Sequence, residues 1–558
     1  MNNHFVMNTI KKILLSTVLF LGLHSIYSQT ENPVISAIQK EVDRNKSELK
    51  LEGMATPFFI SYTVLDVYSY SLSASLGTVS TYNENHVRRG VPRILVGDYL
   101  RNTAKVGASR SFMPATTSLH DNDTGIPYTI WRSLDDIYKD AAERYKAYLA
   151  IQKQQTQTKE EQELPDYEQV APVNMILQPI PVNFDRKYWE NYIRKVSEIA
   201  KQYPDIITSG VTFTTRNVMS YTYNTEGSRY AVPSTFFHLR FSANTRAQDG
   251  QDLSQTVWAE GSVFEQMPDV ATFTEKCKTA MEELLKLKDA PVMDDAYSGP
   301  VLFEGTAVKD IFRRALFSNN KLSAAPKTVQ PSANMMQQSQ TSGGNDFELM
   351  LNKKVIARSI TVKSITGQEF YNGQRLDGYY PVDAEGVVPA KELVLIENGV
   401  LRNMLNGRKP TKKFQHSNGH TRYDYNSNVW HVTPGNILIT SNQTFSNEEL
   451  RKKLLDAAKE EDLEYAYIVK LYSGGARYIY KIYVADGREE LVRGATISDE
   501  ANLKAFKRIL GASNKTLIDS DNEIQTTMIY PDAILFEEMD ITRVSNIEFK
   551  KPYIVPKP

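Results

Sequence analysis

Apolar positions along this chain recur in two rhythms, every second residue and every third or fourth, and they alternate often enough to predict an α+β fold in both halves. Residues Pro57 to Tyr99 are dense in β-formers. The runs Phe58–Val64, Val67–Ser75 and His86–Val96 are separated by polar interruptions, the pattern of a β-meander. From Ser133 to about Lys159 the spacing turns helical, then strongly polar over Gln152–Glu163, as in a solvated helix end or linker. Asp185 starts another helix, whose Trp189, Tyr192, Ile193, Val196, Ile199, Ala200 and Tyr203 keep one face apolar until Pro204 stops it. Strands over Ile207–Thr214, Ser220–Asn224 and Phe236–Asn244 follow, with Thr225-Glu-Gly-Ser228 as a turn. A helix near Phe273–Leu287 closes this half, and Lys288–Ser298 marks a boundary.

Beyond the boundary, Val301, Leu302 and Phe303 form an apolar strand. It runs into Ala307, Val308, Ile311, Phe312, Ala315 and Leu316 at helical spacing. Pro326–Asn345, with its Met335-Met-Gln-Gln-Ser-Gln-Thr-Ser-Gly-Gly-Asn345 run, is a low-complexity polar loop. Two hairpins are predicted by Asn398-Gly399 inside Leu393–Leu401 and by Asp486-Gly487 inside Tyr478–Val492. Between them a helix from Ser446 to about Glu461 opens with Ser446 and Glu449 at capping-box spacing and turns Leu450, Leu454 and Ala457 inward. Tyr472-Ser-Gly-Gly-Ala476 connects strands over Tyr465–Leu471 and Arg477–Val484.

A length of 558 residues allows two to four domains at roughly 100–200 residues each. The formal charge of −1 gives no general electrostatic partner such as nucleic acid. Lys11-Lys12, the apolar run Ile13–Tyr27 and the small Ser28 before Gln29 read as a cleavable signal peptide over residues 1–28. That run is short of the ~20 residues of a comfortable membrane span, and no Cys at the cleavage site offers a lipid anchor. The mature chain is therefore expected in the periplasm or outside the cell, with no stable membrane span. A single cysteine, Cys277, cannot form a disulfide within the chain. Its spacing with Phe273, Ala280, Met281, Leu284 and Leu285 predicts a buried thiol.

The stretch Gly299-Pro-Val-Leu-Phe-Glu-Gly-Thr-Ala-Val-Lys-Asp-Ile-Phe-Arg-Arg-Ala-Leu-Phe-Ser318 resembles the strand and zinc helix in the C-terminal domain of the TldD/PmbA family of metalloprotease-related proteins. Further marks follow in the family's order. They are Asp383-Ala-Glu-Gly-Val387, Asn406-Gly-Arg-Lys-Pro410, Ser417-Asn-Gly-His420, Pro434-Gly-Asn436 and Pro531-Asp-Ala-Ile-Leu535. The resemblance is strongest from Gly299 onward and continuous in order from about Pro57. It implies a two-part architecture, an N-terminal α+β region over 29–290 and a hairpin-rich, metalloprotease-like domain over 291–558 with the metal helix at 301–318. In active members that helix carries His-Glu-x-x-x-His, and a later Cys adds a ligand. Here the two His positions fall on Arg313 and Ser318 and the Glu on Arg314.

Zinc takes neutral imidazole, thiolate or carboxylate ligands, and a hydrolytic site needs a base for its water. Two guanidiniums and a hydroxyl supply neither, and Cys277 precedes the helix. No catalytic residue, cofactor-binding residue or metal ligand is assigned, and no zinc is expected. Without the resemblance, Ile311–Leu316 reads as an ordinary amphipathic helix with two solvated arginines. A second metal set is conceivable in His416, His420 and His431 with Asp424 nearby. However, Ser417-Asn-Gly419 favours a turn over a helix, and His431 sits in a strand beside Trp430. No Gly-x-Ser-x-Gly elbow and no phosphate-binding loop in a strand-to-helix setting is present.

The resemblance implies that active members admit unfolded peptide into a closed cavity, hold it by main-chain strand pairing, and work beside a metal-free paralogue. The expectation for this chain is an exported, non-catalytic subunit or peptide-binding module. Its partners would be unfolded peptide and an exported TldD-like paralogue with His-Glu-x-x-x-His intact. The alternatives are an active metal-dependent peptidase using His416, His420 and His431, and a secreted structural or surface-binding protein. An association of the family with DNA gyrase control finds no support in the charge balance.

Overall fold

The computed structural model describes residues 32–106, 115–121, 124–154, 156–181, 184–326, 328–329, 341–342, 345–424, 428–472, 475–498, 503–521, 526–544 and 550. The predicted signal peptide lies outside the described residues, as does most of the low-complexity stretch. No helix among the described residues is long and apolar enough to cross a membrane.

The described residues begin with a helix not expected from the sequence, α1 (Pro33–Glu48). Asn32 caps it, accepting from the amides of Val34 and Ile35, and Pro33 occupies the first turn, where its missing N–H costs nothing. Two 19-residue strands follow, β1 (Pro57–Ser75) and β2 (Thr78–Val96). The expected meander is thus a single long hairpin. The polar break at Asp66 does not end a strand, because Arg88 stands directly opposite and His86 Nε2 lies 2.6 Å from Asp66 Oδ1. Next come α2 (Gly125–Gln152), which starts eight residues earlier than its pattern suggested, and α3 (Arg186–Glu198). The strands are β3 (Thr208–Asn224), β4 (Arg229–Arg246) and β5 (Asp252–Gly261), and α4 (Val270–Asp289) ends this half.

The sheet runs β2-β1-β3-β4-β5, antiparallel throughout, with two short strands added. Side chains alternate across a strand, so residues of one parity share a face. Ile60, Tyr62, Val64, Leu72 and Ala74 of β1 share theirs with Phe213 and Tyr221 of β3 and Leu239 of β4. The strands are long enough to carry two helical pairs on this face. α1 and α2 cover one end, and α3 and α4 cover the other, where Trp189 stacks on Phe213 with ring centroids 3.6 Å apart. Cys277 is buried in the latter core, as expected. The opposite face of the sheet is left to the second half.

That half contains β6 (Tyr297–Glu304), α5 (Thr306–Phe312), β7 (Ile360–Ser364), β8 (Leu393–Glu397), β9 (Thr421–Asp424), β10 (Val429–Val432) and β11 (Asn436–Ser441). These are followed by α6 (Asn447–Glu460), β12 (Tyr465–Leu471), β13 (Tyr478–Tyr483), β14 (Glu489–Val492), β15 (Ile509–Ser513), β16 (Thr516–Asp521), β17 (Thr526–Pro531) and β18 (Ala533–Arg543). One sheet runs β8-β7-β11-β17-β16 and the other β15-β18-β6-β12-β13-β14, each with short additions at its edges. Only the pairs β11–β17, β6–β12 and a short strand with β15 are parallel among those formed here. Both predicted hairpins form, and α6 has its capping box. Its apolar stripe is Leu450, Leu454 and Ala458; Ala457, expected inside, is only partly buried.

α5 lies between the two sheets. Val301 and Phe303 of β6 face it together with Ile360 and Val362 of β7, whereas Leu302 faces α6 on the far side. Ala307, Val308, Ile311, Phe312, Ala315 and Leu316 are all 0% exposed, so the helix's apolar stripe is spent entirely on this core.

Candidate functional site

A cavity of about 1770 Å³ separates the uncovered face of the N-terminal sheet from the C-terminal half. α5 supplies part of its wall. Thr306, Lys309, Asp310 and Arg313 line it, at the i, i+3, i+4, i+7 spacing of a face opposite the buried stripe. Arg313 therefore projects into the cavity from the first ligand position of the resemblance. Arg314 turns aside, its guanidinium 5.0 Å from the centroid of the Tyr472 ring.

The helix changes winding at this point. After Phe312 it continues as a π turn over Arg313–Phe317, closed by the Ser318 amide donating to the Arg313 carbonyl. The Ser318 hydroxyl reaches the same oxygen at 3.4 Å. A π turn closes on an i+5 hydrogen bond, which ties together the backbone of the two positions that would carry the histidines. The donors there do not fit zinc: guanidinium cannot ligate, and a serine hydroxyl is not among its protein ligands. Among the described residues no group of three His, Cys, Asp or Glu is placed to hold a metal ion.

The second metal set is dispersed by the fold. His416 sits on the surface with its side chain 86% exposed, 2.9 Å from Glu168 Oε1. His420 is buried, its Nδ1 2.8 Å from Asn418 Oδ1 and its Nε2 2.8 Å from the Ser364 hydroxyl. Asn418 Oδ1 can only accept, so Nδ1–H donates and Nε2 accepts from Ser364. Burial drives the His420 pKa down to about 4, which keeps that tautomer neutral. His431 alone of the three lines the cavity, with Asp424 on the paired strand.

The sheet side of the cavity carries residues that the sequence gave no reason to select. His238 of β4 stacks against Trp258 of β5 with ring centroids 5.0 Å apart, and Phe236 lies 5.7 Å from His238 on the other side. Burial, then the Arg240 charge, lower the His238 pKa to about 4. Among the described residues β5 pairs along one edge only, with β4. Residues of both parities from Gln255 to Glu260 line the cavity, which therefore runs along the unpaired edge. Across from it, Ile518, Asp519 and Ser520 of the edge strand β16 contribute to the wall, where Asp519 pairs with Lys309 at 2.5 Å.

Two of the other marks, Asp383–Val387 and Asn406–Pro410, hold the two halves together. Arg408, in the Asn406–Pro410 segment, is fully buried. Its guanidinium donates to Glu226 at 2.6 Å and to the Glu168 carbonyl at 2.6 and 3.0 Å, and lies 4.3 Å from the centre of the Tyr167 ring. Glu385 receives Arg93 at 2.6 Å, the Arg408 amide at 2.8 Å and the Thr421 hydroxyl at 2.8 Å. Burial alone would raise the Glu385 carboxyl, but Arg93 and Arg408 outweigh it and hold the pKa down at about 2. Asp383 accepts from the amides of Glu385, Val387 and Thr421. These marks are structural, and they frame the cavity without entering it.

Compared with known proteins, residues 296–543 match the PmbA/TldA metallopeptidase C-terminal domain. No curated protein gives a significant match to the sequence. Solved structures do. A Thermotoga maritima protein described as a candidate modulator of DNA gyrase superposes with a TM-score of 0.57 at 15% identity, covering 91% of this chain and 99% of its own. TldE from Thermococcus kodakarensis superposes at 0.55 with 11% identity, covering 90% and 99%. A Bacteroides thetaiotaomicron protein, likewise described as a candidate gyrase modulator, superposes at 0.55 with 11% identity, covering 91% and 98%. At these identities the likeness is one of fold.

Proposed function

Its C-terminal domain places this chain in the TldD/PmbA family, and from that premise we propose that it is an exported, non-catalytic member that receives extended peptide and completes a proteolytic complex. The observation that carries the reading is the position of Arg313. At the first ligand position of a zinc helix stands a guanidinium on the wall of a cavity of about 1770 Å³. That volume exceeds the roughly 300–1,000 Å³ of small-molecule pockets, so the occupant is a chain segment. The edge of β5 that is unpaired among the described residues offers such a segment main-chain hydrogen bonds without regard to its sequence.

Hydrolysis then has to come from elsewhere. An exported paralogue with His-Glu-x-x-x-His intact would supply zinc and base, while this chain closes the chamber and holds the peptide.

Co-expression of the two should give a stable complex that cleaves unfolded peptides. Activity is lost when the paralogue's motif Glu is replaced and is unchanged by Arg314→Ala in this chain. The chain purified alone should carry no stoichiometric zinc by elemental analysis and cleave nothing. Near-stoichiometric zinc after dialysis, or cleavage by the chain alone, would overturn the proposal.

A further inference from the structure

We infer that Arg313 is a carboxylate receptor: the cavity selects ligands that bring a negatively charged carboxylate to the helix position from which the metal ligand was lost. This rests on reading the cavity as a peptide site. It adds what that reading leaves open, the chemistry that a favoured peptide must present.

The inference follows from which cavity charges are already engaged. Lys309 is paired with Asp519 at 2.5 Å. Asp377 accepts from the Ser262 amide at 2.9 Å and from the Ser520 hydroxyl at 2.5 Å. Glu275 pairs with Lys278 at 2.7 Å, and Glu260 has a partner of its own. Asp310 and Asp424 have partners as well. Glu283 has no hydrogen bond among the described residues, but burial pushes its carboxyl toward the neutral form.

Two of the cations are in the opposite condition. Arg313 has no ion-pair, ring or hydrogen-bond partner for its guanidinium among the described residues, and neither has Arg216, on the facing β3 wall. Both are half-buried, so each has lost part of its hydration without gaining an anion. A guanidinium presents donors in a planar fork that matches a carboxylate, and in a partly desolvated cavity that pairing is stronger than in open water. The unengaged charge of the chamber is therefore cationic although its lining includes more carboxylates than Lys and Arg side chains.

A carboxylate can come from the C-terminus of a peptide or from an Asp or Glu side chain. N-terminally labelled, unstructured peptides distinguish them: one with a free C-terminus, one amidated with an internal Glu, and one amidated with Gln in its place. Their binding to the full mature chain is measured by fluorescence anisotropy. At least one carboxylate-bearing peptide should bind on the order of ten- to a hundredfold more tightly than the neutral one. Whichever does identifies the source.

Arg313→Gln should bring the peptides to equal affinity, whereas Arg313→Lys, which keeps the charge and loses the fork, should retain part of the preference. The lysine variant also serves if the glutamine variant fails to fold. Equal binding of all three peptides by the parent chain, or a preference that survives Arg313→Gln, overturns the inference. If no peptide binds, the peptide reading fails, and calorimetric titration with N-acetylglutamate decides the receptor separately. Binding lost in Arg313→Gln upholds it, and no binding to the parent chain rejects it.

Discussion

Arg408→Met tests whether the family marks act as a junction. The parent guanidinium is 0% exposed and spans the two halves: it donates to Glu226, twice to the Glu168 carbonyl and once to the Glu385 carbonyl at 3.3 Å. Methionine fills much of the same volume, so the loss is electrostatic. It leaves Glu226, whose side chain is 5% exposed, as a buried carboxylate held only by Tyr99 OH at 2.7 Å. Stranding one member of a buried pair costs about 3–5 kcal/mol. Unfolding entropy of about 2.1 cal/mol/K per residue over 558 residues gives about 1.2 kcal/mol/K, so a loss near 4 kcal/mol should lower Tm by about 3 °C. Scanning calorimetry at two salt concentrations is the assay, and added salt should not narrow the gap, because a buried pair is little screened. Adding Glu226→Gln should restore part of the loss by removing the stranded charge. A single variant within about 1 °C of the parent, or a double variant no better than the single, would refute the junction argument.

His420→Gln should flatten the acid limb of stability. Its folded pKa of about 4 lies below the unfolded value near 6.5, so the unfolded chain binds the extra proton; stability is lost as pH falls from about 6.5 to about 4, by on the order of 3 kcal/mol, and urea melts across that range should show the variant losing less. Gly407→Ala places a Cβ 2.2 Å from Thr421 Oγ1 and 3.1 Å from Glu385 Oε2, and overpacking of this kind should cost about 1–3 kcal/mol in the same melts. Cys277, whose pKa burial raises far above that of a free thiol, should react with a thiol reagent only after denaturation; rapid labelling of native protein would contradict its place in the core.

Local signals predicted what local physics decides. The spacing of Ala307, Val308, Ile311, Phe312, Ala315 and Leu316 identified the buried stripe of α5 correctly, because both sides of that stripe meet apolar sheet. Asn398-Gly399 and Asp486-Gly487 marked real turns, with Asn398, Gly399 and Gly487 all at positive φ. Strand continuity was not legible. Thr215, Arg216 and Asn217 are polar and read as a break, yet they continue β3, whose polar positions look into a cavity and a cleft instead of bulk solvent. Likewise the Asp66 break is closed by residues twenty and twenty-two positions away. The cavity itself could not be read from the sequence. His238, Trp258, Arg216, Arg313 and Asp519 come from separate elements and share a wall only once the halves meet. The marks Asp383–Val387 and Asn406–Pro410 were visible as a resemblance, but that they form a buried ionic junction required the partners Arg93, Glu168 and Glu226 from the other half.

The winding of α5 bears on how one scaffold can present different side chains at the same place. In an α-helix, residues i and i+5 point well apart, at 100° per residue, and a pair of ligands at that spacing would not converge. A π turn narrows the mismatch, and such turns, rare elsewhere, concentrate at functional sites. Here the π turn persists over Arg313–Phe317 with no ligand pair to require it. What holds it is packing, since Ala315 and Leu316 are locked between two sheets, and the Ser318 amide and hydroxyl share the Arg313 carbonyl. The geometry is therefore set by the core and by the Ser318–Arg313 hydrogen bonds, and the side chain at position 313, which faces the cavity, can change without disturbing it. A substitution there alters what the cavity wall presents while the chamber keeps its shape.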